Sequence, residues 1–457
     1  MTGELQQFVI ENADMPKLDS IETAAAAIRS GAVTSESLTL RCLERINQLD
    51  SRLQAWVLVD PEQALASARR LDLELREGHD RGPLHGIPVG IKDLLDVAGW
   101  PTRAGIDAWD DRLPARQDAF SVALLRNAGA VFLGKTVTTQ LACFDPARTI
   151  NPWNPACTPG GSSSGSAVAV ATGMCFAALG TQTGGSVIRP AAFCGISGMK
   201  PTYRGISLRG VLPVSLLLDH VGPMARSMSD LRILWHILAR EDPSNPSPEL
   251  DSSEVADLPN GQFRKIIGLC GSWWNEQSDP DVWSPLRLLV GADAEEFELP
   301  LDFEAVIKHH RILMVADLAG HRRGDDSGTR DCYEPGIRSL MAEADQLGEN
   351  DRMAAVEHQQ QARRTIDAWW SQHPLLAALL LPAAPGGAPD RSTTGSPVMN
   401  SPWSYLGLPT VSFPVGFDAS GLPISAQLAG RRHSDLELLR LAEELSDRVA
   451  FPGWSED

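Results

Sequence analysis

Two glycine-serine clusters and one lysine carry the chemistry that this chain offers. Residues 160–166 read Gly-Gly-Ser-Ser-Ser-Gly-Ser, and residues 180–190 read Gly-Thr-Gln-Thr-Gly-Gly-Ser-Val-Ile-Arg-Pro. Far upstream, Lys92 closes the stretch His-Gly-Ile-Pro-Val-Gly-Ile-Lys. A serine hydroxyl is a weak nucleophile until a base takes its proton. No histidine stands in a matching context, so Lys92 is the candidate base. It ends an apolar stretch, and burial there disfavours the ammonium form. The glycines of Thr183-Gly184-Gly185-Ser186 permit a tight turn that aims successive N–H groups at one point, where an oxyanion would sit. Ser186 would attack from that turn, and Ser162 would relay the proton to Lys92. These parts suit acyl transfer.

Two further patterns mislead. Gly129–Thr136 has the spacing of a phosphate-binding loop, but its middle residues, Ala-Val-Phe-Leu, read as a strand. Extended, they hold the two glycines roughly 16 Å apart, so no loop can wrap a phosphate. Lys135 and Thr136 are then the end of that strand. Gly161–Gly165 matches the nucleophile elbow of α/β hydrolases, which would make Ser163 the nucleophile. That motif must follow a hydrophobic strand, and the preceding Asn-Pro-Trp-Asn-Pro-Ala-Cys-Thr-Pro is too rich in proline. The histidines are scattered without metal-ligand spacing, and the adjacent His309 and His310 would not face one site on a helix. No metal site is expected.

The elements that must position these residues follow from periodicity. Residues 19–49 read as two helices, capped by Ser20 and Ser35, and residues 61–76 as a third. Ile87–Asp93 is a short apolar strand. Residues 118–128 read as a helix leading into the strand Ala130–Leu133. Residues 166–173 are small and apolar all round, as in a buried helix, and Cys175–Leu179 follows as a strand. Residues 352–370 read as a long polar helix, Leu379–Leu381 and Thr410–Pro414 as late strands, and Asp435–Arg448 as a closing helix. Helices alternating with short buried strands imply an α/β sheet with helices on both faces.

A chain of 457 residues can bury a large core. Its net charge of −18 argues against a nucleic acid or an anionic membrane surface as partner. Seven cysteines, an odd number with no CxxC, read as free and mostly buried thiols of a reducing compartment. Met1–Gln7 has no basic region leading into an apolar stretch, so it does not read as a signal peptide, and no apolar run is long enough to span a membrane. A cytoplasmic protein is expected.

Residues 160–200 resemble the signature of the amidase signature family. Leu84–Asp93 is similar to its lysine segment, continued by Val97–Thr102. Asp219–Ser227, Gly407–Gly416 and Gly421–Gln427 also match. The resemblance covers roughly residues 20–235 and 375–450, and leaves 240–370 as a variable insertion or cap. It implies one α/β domain with a twisted mixed sheet covered by helices on both faces. It implies a Ser-cisSer-Lys triad of Ser186 as nucleophile, Ser162 as relay with a cis bond to Gly161, and Lys92 as base. The N–H groups of Thr183, Gly184, Gly185 and Ser186 would form the oxyanion hole, with Ser163 in support and no cofactor. The substrate would be a small-molecule amide, ester or carbamate, and the protein a monomer or homodimer.

Two departures stand out. Gln182 replaces the family's usual Asp, and Arg189 lies three residues after Ser186 instead of two. Both resemble a sub-branch that includes malonamidases, in which such an arginine meets a substrate carboxylate; the alternative is that Arg189 fixes the loop. Trp273, Trp274, Trp369 and Trp370 would suit a wall for aryl substrates, or core. The alternative function is the glutaminase subunit of a tRNA-dependent amidotransferase, although the surroundings of that subunit's glutamine site are not evident in Thr139–Asn154. A non-catalytic binding protein is the third class.

Overall fold

Eleven strands form one mixed sheet in a computed structural model that describes residues 18–244, 266–291 and 294–456. The strands are β1 (Trp56–Val59), β2 (Pro88–Lys92), β3 (Val131–Thr136), β4 (Ala177–Gln182), β5 (Ser197–Lys200) and β6 (His220–Ala225). They continue as β7 (Ile266–Cys270), β8 (Glu296–Phe297), β9 (Leu376–Pro382), β10 (Thr410–Phe417) and β11 (Pro423–Gly430). The order is β1-β3-β2-β4-β6-β5-β10-β11-β9-β7-β8. β2 runs parallel to both β3 and β4, and β9, β7 and β8 run parallel at the other end. The pairs between β4 and β9 are antiparallel.

The central strands are buried on both faces. Every residue of β2, β3, β4, β5, β6, β9 and β11 is buried, with no alternation between inside and outside. Such strands need helices above and below the sheet. One of these helices, Ser164–Ala171, consists only of small or β-branched residues and is buried along its whole length. Gly165 explains the small size. A Cβ there would lie 2.2 Å from the Ala55 carbonyl oxygen and 2.4 Å from the Val137 nitrogen. The helix therefore lies directly on the backbone that follows β3.

Most expected elements lie where the periodicity puts them, with shifted ends. The strand expected at Cys175–Leu179 is β4, which starts later and runs on to Gln182. One cap is corrected. Ser20 caps the helix Ile21–Arg29, but Thr34 and not Ser35 caps Ser35–Leu53, because the Thr34 hydroxyl reaches the Ser37 N–H while Ser37 reaches back. Ser35 instead donates to the Gly86 carbonyl. Within 240–370, β7 and β8 extend the same sheet, and the helix Phe303–Arg322 packs against Glu349–Gln372 and Ser401–Leu406. Met1–Gln7 and part of the 240–370 region lie outside the described residues.

None of the seven cysteines is in a disulfide, and five are buried; Cys157 is half-buried and Cys332 exposed. Among the described residues, no helix is long and apolar enough to cross a membrane. No group of three His, Cys, Asp or Glu side chains gathers as a metal site there.

Candidate active site

Lys92 is the last residue of β2, which lies between β3 and β4 at the centre of one half of the sheet. Its side chain is fully buried. The Nζ lies within hydrogen-bond reach of three hydroxyls, Ser162 Oγ at 2.8 Å, Ser163 Oγ at 2.9 Å and Thr181 Oγ1 at 2.8 Å. Thr181 stands on the adjoining strand β4, and the two serines on the loop that enters the helix Ser164–Ala171. No carboxylate touches the amine, in contrast to Lys135, whose Nζ pairs with Asp93 at 2.8 Å. Burial drives the Lys92 ammonium well below the ordinary lysine range, and the charge of Asp219 pulls it partly back. The site thus holds a lysine biased to its neutral form, with hydroxyl neighbours.

The first serine cluster is held from below. The Gly161–Ser162 peptide is cis. The Ser162 carbonyl accepts from the Thr139 N–H at 3.2 Å, and the Gly161 carbonyl from Arg189 Nη2 at 2.7 Å. Ser163 Oγ also lies 3.3 Å from both the N–H and the carbonyl of Thr181, so it bridges Lys92 to β4. Ser163 sits inside the hydroxyl cluster and no strand precedes it, so the elbow geometry is absent here.

The second cluster forms the turn between β4 and the helix Ile188–Cys194. Gln182 shapes it. Its side-chain carbonyl accepts the N–H groups of Val187 and Ile188 at 2.9 and 3.0 Å, and its amide donates to Ser404 Oγ at 3.1 Å. One glutamine oxygen thereby satisfies two N–H donors at the start of that helix. Each carbonyl of the turn is tied to protein. Thr183 O accepts from His310 Nε2 at 2.9 Å and Gly184 O from Ser404 Oγ at 2.8 Å. Gly185 O accepts from Arg189 N at 2.9 Å, and Ser186 O from Ser163 N at 3.3 Å. None of Thr183, Gly184, Gly185 or Ser186 donates its own N–H to an acceptor among the described residues. Those four N–H groups are available to an external oxygen.

Ser186 therefore lies beside Ser163 through its backbone. Its residue is 8% exposed, and its Oγ takes no hydrogen-bond partner among the described residues. The structure joins Lys92 to Ser162, Ser163 and Thr181, and leaves the Ser186 hydroxyl unengaged.

Arg189 is buried and meets no carboxylate. Besides the Gly161 carbonyl it reaches Thr394 Oγ1 at 3.3 Å, while Nε and Nη1 have no partner, and burial lowers its guanidinium to about 10. Its visible work is to hold the peptide before Ser162. The tryptophans of the 240–370 region are mostly core. Trp274 stacks on Trp403 and Trp369 meets Trp370 edge-on, while Trp273 is half-buried over Phe303.

Three residues at the site carry roles that sequence reasoning misses. Thr181 lies within the second cluster, where nothing in its spacing marks it as a partner of the amine. His310 is buried, and because a carbonyl can only accept, its Nε2 carries the proton. Burial lowers it to about 4, so the ring is neutral near pH 7. Asp219 is buried and accepts from Thr183 Oγ1 at 2.6 Å and from the N–H groups of Val214 and Ser215 at 2.9 and 3.0 Å. Burial still raises its carboxyl to about 7. Its place at the head of the Asp219–Ser227 motif is the only signal in the sequence.

Comparison with known proteins places this geometry in company. The model of the family described as Amidase matches residues 37–279. One subunit of the glutamyl-tRNA(Gln) amidotransferase of Chloroflexus aurantiacus is 34% identical, over 93% of this chain and 95% of that protein. Among solved structures, the peptide amidase of Stenotrophomonas maltophilia superposes with a TM-score of 0.80 at 28% identity, over 96% of this chain and 99% of that one. A structure described as revealing the evolutionary origins of an s-triazine catabolic enzyme reaches a TM-score of 0.86 at 26% identity, over 95% and 99%.

Proposed function

We propose that this chain, which belongs to the amidase signature family, hydrolyses the C–N acyl bond of a small linear amide or carbamate through Ser186. Neutral Lys92 takes a proton from Ser162, Ser162 takes the Ser186 proton, and Ser186 attacks the carbonyl. The free N–H groups of Thr183, Gly184, Gly185 and Ser186 receive the negative oxygen of the tetrahedral intermediate. The proton returns through Ser162 to the leaving nitrogen, and water then hydrolyses the acyl-enzyme. Ser163 and Thr181 hold the amine in place. The observation that carries this reading is the Lys92 Nζ, buried without a counter-ion at 2.8 Å from Ser162 Oγ.

The test is hydrolysis of matched nitroanilide, nitrophenyl ester and nitrophenyl carbamate substrates by wild type and Ser186→Ala. Loss of all activity in the variant supports Ser186, and the best of the three bonds names the substrate class. Activity retained in the variant sinks the assignment.

The relatives supply a second reading. The similarity to that amidotransferase subunit extends along nearly the whole chain, so a glutaminase that works with partner subunits is the alternative. Hydrolysis of glutamine only in the presence of a second protein would favour it.

A further inference from the structure

The helix Phe303–Arg322 passes His310 beside the proposed oxyanion turn and ends at a cavity. That cavity has a volume of about 710 Å³, and none of Lys92, Ser162 or Ser186 lines it. Four alanines, Ala316, Ala319, Ala342 and Ala344, are among its lining. Five arginines line it: Arg322, Arg323, Arg330, Arg338 and Arg352. The lining acids are Asp345 and Glu349. In a chain with a net charge of −18, such a concentration of guanidinium groups is a local reversal of the overall field.

Much of this positive charge is unspent. Arg352 pairs with Asp317 at 2.8 Å. Arg323, Arg330 and Arg338 form no ion pair among the described residues; Arg330 and Arg338 each reach only a backbone carbonyl, at 2.9 and 2.7 Å. Arg322 is the telling member. It is 8% exposed, its Nε has no hydrogen-bond partner, and its nearest carboxylate, Asp325, lies 3.9 Å from Nη1. That Nε is closed off from solvent, but Nη1 and Nη2 make no hydrogen bond among the described residues and are left to meet an incoming anion. Guanidinium forks match carboxylate and phosphate oxygens two at a time, and the volume lies within the range of small-molecule sites.

We propose that this cavity binds a small organic anion, with carboxylate or phosphate groups on a short apolar body. The anion is either a free molecule or the acidic end of a long substrate. The test is titration calorimetry at low salt with citrate and with inorganic pyrophosphate, on Ser186→Ala protein so that binding is read apart from turnover. Saturable binding near one per chain is expected, weakened about tenfold or more in Arg322→Gln. Because Arg322 is buried and that variant can fail to fold, the exposed Arg323→Gln and Arg338→Gln pair is measured beside it. No saturable binding of either probe, or affinity unchanged in that exposed pair, overturns the proposal. With active enzyme and an amide substrate, a probe that raises KM alone identifies the substrate's acidic end. A probe that changes kcat, or binds without inhibiting, identifies a free anion.

Discussion

Replacing Lys92 with methionine separates what this side chain does for activity from what it costs the fold. The amine is fully buried and has hydroxyl partners but no carboxylate, so its ammonium form is disfavoured and its pKa lies well below the ordinary value of 10.5. The unfolded chain therefore binds one more proton than the folded chain between the folded and unfolded values. In that window the stability of wild type rises with pH, by about 1.4 kcal/mol per pH unit for this one group. Put the other way, Lys92 contributes fully above its unfolded value, and the contribution is lost as pH falls through its folded value. Lys200, which burial lowers to about 7, and Lys135 act in the same direction, but they are common to both proteins and cancel in the difference. Urea unfolding of wild type and Lys92→Met, followed at pH 9 and at pH 10, should show the variant losing about 1.4 kcal/mol relative to wild type across that interval. The same variant should lose about 10²- to 10⁴-fold in kcat/KM, the range for removal of a general base. Stability curves that run parallel would mean that Lys92 titrates at its ordinary value. It could not then serve as a base near neutral pH, and the proposed proton path would fail.

Four other substitutions probe the turn and the helix packed beside it. Gln182→Leu strips the acceptor from the buried Val187 and Ile188 N–H groups, so unfolding free energy should fall by about 1–3 kcal/mol for each donor left unpaired, read by urea titration. Thr183→Val removes a hydrogen bond that favours the ionised form of Asp219 against burial; the carboxyl rises further, less negative charge faces Lys92, and the acidic limb of the kcat/KM profile should move to lower pH. A limb that stays in place would show that Asp219 does not act on the base. Gly165→Ala drives a Cβ into backbone at 2.2 Å and should abolish soluble folded protein, whereas Gly173→Ala, with nothing within 4 Å, should cost only the strain of its φ of +72°, about 1 kcal/mol, by thermal melting.

The sequence exposes some of these elements and hides others for physical reasons. β2 and β3 are short apolar runs and are readable as strands. β6 is not, because His220, Gly222 and Pro223 carry poor strand propensity, yet Pro223 pairs with Leu179 in the interior of the sheet. β11 begins with Pro423 and buries Ser425 and Gln427, so its pattern suggests neither a core strand nor an alternating one. The helix Ile188–Cys194 is masked by Pro190, which is tolerated in a first turn where no N–H is needed. Caps are ambiguous wherever hydroxyl residues adjoin, as at Thr34 and Ser35. Lys92, Ser162 and Ser186 stand out because their neighbours are glycines and apolar residues. His310 does not: it lies 127 residues from Thr183, and nothing in a helix sequence names the turn that the helix faces.

That asymmetry follows from how the turn works. In a trans peptide the C=O of one residue and the N–H of the next point in opposite directions. Fixing the Thr183 carbonyl with His310 therefore aims the Gly184 N–H away from His310. Fixing the Gly184 carbonyl with Ser404 does the same for Gly185, and fixing the Gly185 carbonyl with the Arg189 N–H does so for Ser186. The glycines let the backbone take this shape, and a Cβ on Gly185 would strike Asn400 Oδ1 at 2.6 Å. Two of the anchors come from the helices Phe303–Arg322 and Ser401–Leu406, more than a hundred residues downstream. The signature residues thus supply the donors, while distant helices, one of them in the region with little resemblance to the family, hold them in position. On the proposed mechanism, changes in that region would alter how well an oxyanion is held without touching Lys92, Ser162 or Ser186.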